Sequence, residues 1–279
     1  MMQPSFNPAD CLFFGVDFSG AVDAGRKLWV SRVEVRAGAL MLTALHRADQ
    51  LPGGGVARDA AYQGLRTLIA AHPVSVWGCD MPFGLATPLI GHATWHAFIT
   101  HFADDYPTSE TLHERGRALR PPRRLTDIQA KTPFAPHNLR LYRQTYHALR
   151  DVIAPLVMAQ AATFPPMLWG DAPRPILLEV CPASSLKARG WYFPYKGRTD
   201  AARAGRQRLI DLFTHRDDLP LRIPAALLPI LIDDADGDAL DSAIAACCTA
   251  DSTFSGEIER ALADPEPRYR LEARVFGAL

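Results

Sequence analysis

Five carboxylates stand where apolar segments of the sequence end or are interrupted. Asp17 follows the run FFGV, and Asp80 follows VWGC. Glu179 interrupts the run ILLEVC, while Asp238 and Asp241 open the segment GDALDSAIAACC three residues apart. That spacing puts two side chains on one face of a helix, in the first turn, where the helix dipole favours negative charge. These five residues are the candidate catalytic groups.

A cluster of such carboxylates would need a counter-charge. Two carboxylates about 4 Å apart repel each other by roughly 4 kcal/mol at an effective dielectric constant near 20. Further carboxylates could join them only if protons or a divalent cation neutralised the charge. Mg²⁺ and Mn²⁺ prefer oxygen ligands, and two such ions can hold a phosphodiester for in-line displacement. Taken singly, however, an aspartate at the end of a strand is more often a helix cap or a turn former.

The segments around these residues predict the elements that position them. Apolar and alternating runs predict three antiparallel strands, and a helical pattern then precedes a continuous apolar strand. A helix between two such strands indicates a parallel crossover. In a sheet of this βββαβ order the first and fourth strands are neighbours, so Asp17 and Asp80 would lie side by side. The predicted strands cover residues 11–16, 28–35, 39–45 and 74–79, and the helix covers residues 57–71.

The remainder of the chain predicts a largely helical insertion, at about residues 89–173, followed by further core elements. In this α/β protein, residues 11–250 would form a single domain, with residues 251–279 as a C-terminal tail packing on it. Within the insertion we expect a helix at 89–102, a polar stretch without regular structure at 106–136, and a helical segment at 138–163 bent at Pro155. Beyond it we expect a fifth buried strand at 176–181, helices near 201–214, 225–232 and 238–249, and an edge strand at 268–276.

Four motifs in order carry a resemblance to a known family. They are GVDFSGA at 15–21, CDMPFGL at 79–85, LLEVCPASSL at 177–186 and GDALDSAIAA at 237–246. With them the chain resembles a bacterial family of predicted RNase H-like nucleases, known as domain of unknown function 429. The resemblance implies an RNase H-like mixed sheet, with three antiparallel strands followed by parallel strands, flanked by helices.

The predicted order of elements is also similar to that of the Holliday-junction resolvases, whose acidic residues bind two metal ions. Carried over by position, this resemblance implies that Asp17, Asp80, Asp238 and Asp241 hold two Mg²⁺ or Mn²⁺ ions. Many resolvase relatives have glutamate where this chain has Asp80, and the shorter side chain could place one ion differently. The resolvase pattern does not require an acid at Glu179, which could be an extra ligand, a general base or a partner for a basic residue.

Two basic runs are candidates for binding phosphate. Residues 115–150 contain nine Lys and Arg against one acid, and residues 187–208 contain seven against one. Guanidinium groups suit bidentate contact with phosphate, although such a run is as often a solvated surface. The second run includes the stretch WYFPYKGR, whose rings could stack on bases or simply pack the insertion. Related sequences tend to be polar at the corresponding positions, so we predict substrate contacts from Arg124, Lys196 and Arg198.

Composition excludes several classes of protein. The 279 residues are 48% hydrophobic and 22% charged, as in ordinary globular proteins. The 30 Lys and Arg equal the 30 Asp and Glu, so any polyanion must bind at a local patch. No apolar run reaches the roughly 20 residues that span a membrane, and residues 1–10 do not resemble a secretory signal. The five cysteines, without a C-x-x-C pair, predict a reduced, cytoplasmic protein.

The leading hypothesis is a metal-dependent phosphodiester hydrolase, a nuclease, acting on nucleic acid or on a phosphorylated nucleotide. A zinc site at His92 and His96 is disfavoured, because Ala93 stands where the zinc-protease motif needs glutamate. One alternative is a kinase or ATPase of the actin/hexokinase superfamily, although the sequence has no second glycine-rich phosphate hairpin. Another is a non-catalytic adaptor, in which Asp17 and Asp80 would point apart or pair with arginine.

Overall fold

The computed structural model describes residues 11–170, 172–264 and 266–278, and it contains one seven-stranded mixed sheet flanked by helices. The strands follow one another across the sheet in the order β6-β3-β2-β1-β4-β5-β7. The predicted α/β class and mixed sheet are therefore confirmed. The strands are β1 Leu12–Asp17, β2 Trp29–Arg36, β3 Ala39–Arg47, β4 Ser75–Asp80, β5 Ile176–Val180, β6 Leu221–Arg222 and β7 Val275–Phe276.

Strands β1, β2 and β3 form the predicted antiparallel meander. β2 pairs with β1 on one side and with β3 on the other, antiparallel in both cases. The chain turns between β2 and β3 at Ala37 and Gly38, which both have positive φ, 49° and 74°. Two successive positive φ angles match the right-handed twist of the flanking strands. The alternating pattern and the turn were therefore sufficient to locate this hairpin.

The other half of the sheet is parallel. β4 pairs with β1 and β5 pairs with β4, which confirms the crossover predicted through the helix at Arg58–Ala70. β1 and β4 lie in the middle of the sheet and are buried on both faces, so their apolar residues run almost without interruption. The edge strands β6 and β7 have two residues each, too few for either to show a periodic pattern on its own.

The helices cover both faces of the sheet. They are α1 Arg58–Ala70, α2 Trp95–Thr100, α3 Phe102–Asp105, α4 Ser109–Leu119, α5 Leu125–Gln129, α6 Tyr142–His147, α7 Ala154–Met158, α8 Pro182–Ala188, α9 Asp200–Thr214, α10 Leu228–Asp233, α11 Asp238–Phe254, α12 Glu257–Ala263 and α13 Pro267–Glu272.

The segment between β4 and β5 is helical, but the helices are shorter and more numerous than predicted. The helix predicted at 89–102 does not form as one unit, because Gly91 adopts a φ of 68° and Thr94 caps a new helix, α2. The stretch at 106–136, predicted to lack regular structure, contains α4 and α5. Its prolines all lie outside these two helices and interrupt any sustained helical period in the sequence.

The helical segment predicted at 138–163 is helical over most of its length, and its regular α-helical geometry is interrupted just before Pro155, where a bend was predicted. A π-helical turn, Ala148–Ile153, separates α6 from α7. Pro155 has no N–H to donate to the carbonyl oxygen of Asp151 four residues earlier, and that oxygen accepts a hydrogen bond from the Arg66 guanidinium instead. Buried side chains of this segment, among them Tyr146 and Leu149, pack with α1 and β1 in one of the two main hydrophobic cores.

Helix α11 lies against the sheet and forms much of the second core. It contacts β1, β2 and β4 and is buried along nearly its whole length. This burial explains why the helix itself carries small and apolar residues on all of its sides. Its approach to β1 depends on Gly15, because a Cβ atom there would lie 1.9 Å from the carbonyl oxygen of Ser242. The first turn of α11 is thereby held near the carboxyl ends of β1 and β4.

The C-terminal segment departs from its prediction. Instead of an edge strand over 268–276, helix α13 occupies the first part and only Val275–Phe276 form β7, parallel to β5. The residues before β7 favour a helix because Pro267 and the Glu266 cap begin one. In the part of the chain that the structure describes, every helix is too short or too polar to cross a bilayer.

Candidate active site

The ends of β1 and β4 bring the first two carboxylates together. In the parallel ladder Asp17 is the direct partner of Asp80. β1 is buried from Phe13 onward, and Asp17 itself is only 9% exposed. Both strands end at their aspartate, so the two side chains lie where the chain leaves the sheet. The neighbouring position predicted from the βββαβ order is confirmed.

Asp238 and Asp241 reach the same place from the first turn of α11. Gly237 precedes the helix with a φ of 78°, a left-handed conformation that costs glycine little. The carboxylate of Asp234 accepts the N–H of Ala239 at 2.8 Å and so caps the helix. Because Asp234 performs the capping, Asp238 and Asp241 are not needed for it.

Three of the four predicted metal ligands converge. One carboxylate oxygen from each of Asp17, Asp80 and Asp241 lies within 4.8 Å of the other two. Asp241 is 3% exposed, whereas Asp238 stands beside this group with a side chain that is 24% exposed. Within the described residues, no other three His, Cys, Asp or Glu side chains come together as closely. We refer to Asp17, Asp80, Asp238 and Asp241 as the acidic cluster.

Two neighbouring residues from the loop before α9 contact the acidic cluster. The Nζ atom of Lys196 lies 2.6 Å from Oδ2 of Asp241 and 3.6 Å from Oδ1 of Asp238. The hydroxyl of Tyr195 donates to Oδ1 of Asp241 at 2.7 Å. Both oxygens of Asp241 are therefore held in place, and one ammonium group faces four carboxylates.

Burial and mutual repulsion raise the pKa values in the acidic cluster. Burial raises the pKa of Asp17 well above its usual value, and the charges of Asp238 and Asp241 add to this. Burial, with the charge of Asp241, raises the pKa of Asp80 to about 8. Burial raises the pKa of Asp238 to about 6 and also raises the pKa of Asp241, although Lys196 opposes both effects. Burial would lower the pKa of Lys196, but the charges of Asp241 and Asp17 outweigh it and raise that pKa.

The residues of the acidic cluster fit a divalent cation. When ionised, four carboxylates carry four negative charges and Lys196 compensates one of them. The donor atoms are all oxygens, which Mg²⁺ and Mn²⁺ prefer. The raised pKa values mean that, without such a cation, the protein holds protons at this site instead. Deprotonation and metal binding are therefore expected to occur together.

Glu179 is not part of the cluster, although it lies on the strand next to β4. Its carboxylate accepts two hydrogen bonds from Arg124, at 2.6 and 2.9 Å, and one from the N–H of Phe83 at 2.9 Å. Burial raises the pKa of Glu179, and the charge of Arg124 offsets part of that increase. Of the three roles that the sequence left open, the structure shows the partner for a basic residue. Through Phe83 this pair also fixes the loop that follows Asp80.

Arg124, predicted to contact substrate, is occupied by the protein itself. Its side chain is buried, and all five of its N–H groups have acceptors: four on Asp127 and Glu179, and the fifth on the carbonyl oxygen of Glu272. No donor remains for a phosphate. The other two predicted contacts differ from it, since Lys196 touches the acidic cluster and Arg198 is exposed in the loop after it.

Two cavities open beside the acidic cluster. The larger, of about 680 Å³, includes Asp80, Asp241 and Lys196 in its walls. The smaller, of about 390 Å³, includes Asp17 and Asp238, with exposed Arg140 and Arg143 on its wall. The basic run at 115–150 contains these two arginines, but no pattern in the sequence indicates that they face the carboxylates.

The structure also bears on two cysteines near the cluster, Cys79 and Cys181, and on the two histidines disfavoured above as a zinc site. Burial raises the pKa of the Cys79 thiol, and it raises the pKa of Cys181 to about 12, so neither is an activated nucleophile. His92 pairs with Asp105 through Nε2 at 2.7 Å, whereas His96 is exposed. The two histidines therefore have different environments and do not form a zinc site together.

Comparison of the chain with known protein families, with curated proteins and with solved structures finds no match. The resemblance to the RNase H-like nucleases therefore stays a prediction, and a functional assignment depends on the geometry and charge of the acidic cluster.

Proposed function

We propose that the protein is a metal-dependent phosphodiester hydrolase, a nuclease in which Asp17, Asp80, Asp238 and Asp241 hold two Mg²⁺ or Mn²⁺ ions. The observation that carries the proposal is the approach of three carboxylates, two buried and one half-buried, within 4.8 Å of one another, with one lysine as counter-charge. A protein gains nothing in stability from such an arrangement alone, because each added charge repels the others. A bound cation removes that penalty.

The residues around the cluster have separate tasks in this proposal. The register of β1 and β4 aligns Asp17 with Asp80, and Tyr195 and Lys196 orient Asp241. A bound divalent ion would supply the positive charge that stabilises the attacking and leaving oxygens of an in-line displacement. No side-chain nucleophile is needed, because water is the attacking group in hydrolysis.

The fold supports the same proposal. The RNase H-like resemblance implies three antiparallel strands followed by parallel strands, and β3-β2-β1-β4-β5 follow one another across the sheet in that way. The adaptor alternative is disfavoured, because it requires Asp17 and Asp80 to point apart or to pair with arginine. Asp17 and Asp80 point toward each other, and the basic residue in contact with the cluster is a lysine at Asp241.

The first test is metal-dependent stability. With Mg²⁺ or Mn²⁺ at a hundredfold excess over its dissociation constant, we expect the melting temperature to rise by about 5 °C. Asp17→Asn should abolish the rise, because it removes one ligand and one charge. Asp217→Asn removes the same charge at an exposed position and should leave the rise intact. A wild-type melting curve that does not respond to either metal would contradict the proposed metal site.

The second test is activity. We expect the protein with Mn²⁺ to cleave at least one member of a panel of single-stranded, duplex and branched nucleic acids, and Asp17→Asn to be inactive. Absence of cleavage across the panel, combined with ATP binding in a calorimeter, would instead favour the kinase alternative.

A further inference from the structure

The two cavities beside the acidic cluster adjoin each other and share three wall residues. Asp80, Gln144 and Lys196 belong to the walls of both. Gln144 is fixed there, because its Nε2 donates to the carbonyl oxygen of Asp80 at 2.8 Å. A ligand that reaches the carboxylates can therefore extend into either cavity.

The larger cavity has aromatic walls. Phe134 comes from the segment before α6, and Tyr192, Phe193 and Tyr195 come from the loop before α9. Tyr192 is 53% exposed at the mouth of the cavity, and Nζ of Lys187 lies over its ring, 5.1 Å from the ring centre. Flat rings of this kind bind other flat rings by stacking. The volume of about 680 Å³ lies in the range of cavities that hold a small organic molecule.

The smaller cavity is cationic at its outer side. Lys27, Arg140 and Arg143 are part of its wall, opposite in charge to Asp17 and Asp238. The side chain of Arg143 is 67% exposed, and its ion pair with Glu110 is long, at 3.5 Å. An exposed guanidinium with such a weak partner can turn to a phosphate at little cost. The site thus combines a surface for rings with a surface for phosphate, and the carboxylates lie between them.

From this division we infer that the site takes one nucleotide with an unpaired base, which enters the aromatic cavity while its phosphate lies between the acidic cluster and Arg143. The inference rests on the proposed function and names its substrate as single-stranded or locally unpaired nucleic acid. A base that is paired in a duplex cannot enter such a cavity until it is unstacked and unpaired, which costs free energy. A single strand presents its bases without that cost.

The test distinguishes the contribution of the base to binding from the contribution of the phosphates. Fluorescence anisotropy compares a single-stranded oligonucleotide with a base-free strand of the same length, which carries the same phosphates. Ca²⁺ replaces Mg²⁺, because its less regular coordination disfavours in-line cleavage. We expect Tyr192→Ala to weaken binding of the base-containing strand about tenfold and to leave binding of the base-free strand unchanged. Arg143→Ala should weaken binding of both strands.

The control is Phe254→Ala, which removes a half-exposed ring at the other end of α11, about 24 Å along the helix axis from Asp238. It should change neither affinity. Equal affinity of the wild type for both strands, or no effect of Tyr192→Ala, would overturn the inference. Tighter binding of a duplex than of either single strand would overturn it as well.

The inference and the proposed function can fail separately. If the protein cleaves nucleic acid in an Asp17-dependent way but Tyr192→Ala changes no affinity, the hydrolase proposal stands and the aromatic cavity is not a base site. If the protein binds base-containing strands through Tyr192 but cleaves nothing, the base site stands and the protein binds nucleic acid without hydrolysing it.

Discussion

Lys196 is the residue that makes the acidic cluster tolerable in the absence of metal. Its ammonium group lies 2.6 Å from Asp241. The negative charges of Asp241, Asp17 and Asp238 all raise the pKa of this lysine. An ammonium on a flexible stem can hold this position in the metal-free protein and move aside when a divalent ion binds. An arginine would form a more rigid, bidentate pair. A lysine therefore suits a site whose negative charge is compensated by the ammonium group in the metal-free protein and by a divalent ion in the metal-bound protein.

Replacement of this lysine should make the protein more dependent on metal. In Lys196→Gln we expect the metal-free protein to lose about 1 kcal/mol of unfolding free energy, a modest loss because the side chain is half-exposed. The metal-bound protein should lose less, because the ion supplies the missing charge. Differential scanning fluorimetry should therefore show a larger rise in melting temperature on addition of Mg²⁺ than in the wild type.

The matched control is Arg203→Gln, since Arg203 also pairs with a carboxylate, Asp233, but at the surface, where both side chains are more than half exposed. It should change neither the metal-free stability nor the response to Mg²⁺. A Lys196→Gln protein whose response to Mg²⁺ is unchanged would mean that the lysine does not balance the acidic cluster.

At the scale of elements, the site depends on how closely α11 approaches the sheet. Two glycines make room for it. A Cβ atom on Gly15 of β1 would lie 1.9 Å from the carbonyl oxygen of Ser242, and one on Gly78 of β4 would lie 2.0 Å from the Thr249 hydroxyl. Because backbone atoms of α11 face Gly15, no change of rotamer can relieve that contact. Because Gly15 has no side chain, α11 can approach β1 closely enough to bring Asp241 near Asp17.

Gly15→Ala should consequently move α11 and damage the site. We expect a loss of about 3 kcal/mol in unfolding free energy, since overpacking against backbone is the costly kind. The thermal response to Mg²⁺ should shrink in parallel, because the carboxylates separate. Urea unfolding and fluorimetry measure the two effects. Gly170→Ala, where a Cβ atom meets nothing within 4 Å, is the control and should be close to neutral. A stable Gly15→Ala protein with an unchanged metal response would contradict this account.

Features that depend on residues close together in the sequence could be predicted, whereas contacts between residues far apart in the sequence could not. β1, β4 and the first turn of α11 are set by local patterns, so the positions of Asp17, Asp80 and Asp241 could be predicted from it. Glu179 and Arg124 are 55 residues apart, and neither local pattern shows that they will meet. The aromatic residues of the larger cavity likewise come from two distant segments. Contacts of this kind depend on how the insertion folds over the sheet, which periodicity does not specify.

For the whole molecule, a net charge of zero conceals an uneven distribution. Arginines such as Arg124 and Arg216 are paired with buried or half-buried carboxylates and contribute little to the outer field. Exposed Arg140 and Arg143 stand beside an acidic cluster that lacks sufficient counter-charge. The balance of charge at this one site therefore depends on pH and on metal concentration, even though the sum over the chain is neutral.

The sign of the pH dependence follows from the raised pKa values. The pKa of Asp80 is about 8 in the folded protein, against 3.8 for an unperturbed aspartate, because of burial and the charge of Asp241. The folded protein therefore binds this proton more tightly than the unfolded chain does. The stability that the proton contributes is fully present below about pH 4 and is lost as the pH rises through about 8. Divalent metal ions act in the opposite direction, since they bind the deprotonated carboxylates.

We therefore expect the metal-free protein to lose stability between about pH 4 and about pH 8, the range in which folded Asp80 keeps a proton that the unfolded chain has released. The Asp80→Asn protein should lose less stability over the same pH range, because the asparagine amide carries no charge at any of these pH values. The rise in melting temperature on addition of Mg²⁺ should grow with pH in the wild type. Fluorimetry with EDTA and with Mg²⁺, at matched ionic strength, measures all three. A wild-type response to Mg²⁺ that is the same at both ends of this range would mean that the carboxylates are not the metal ligands.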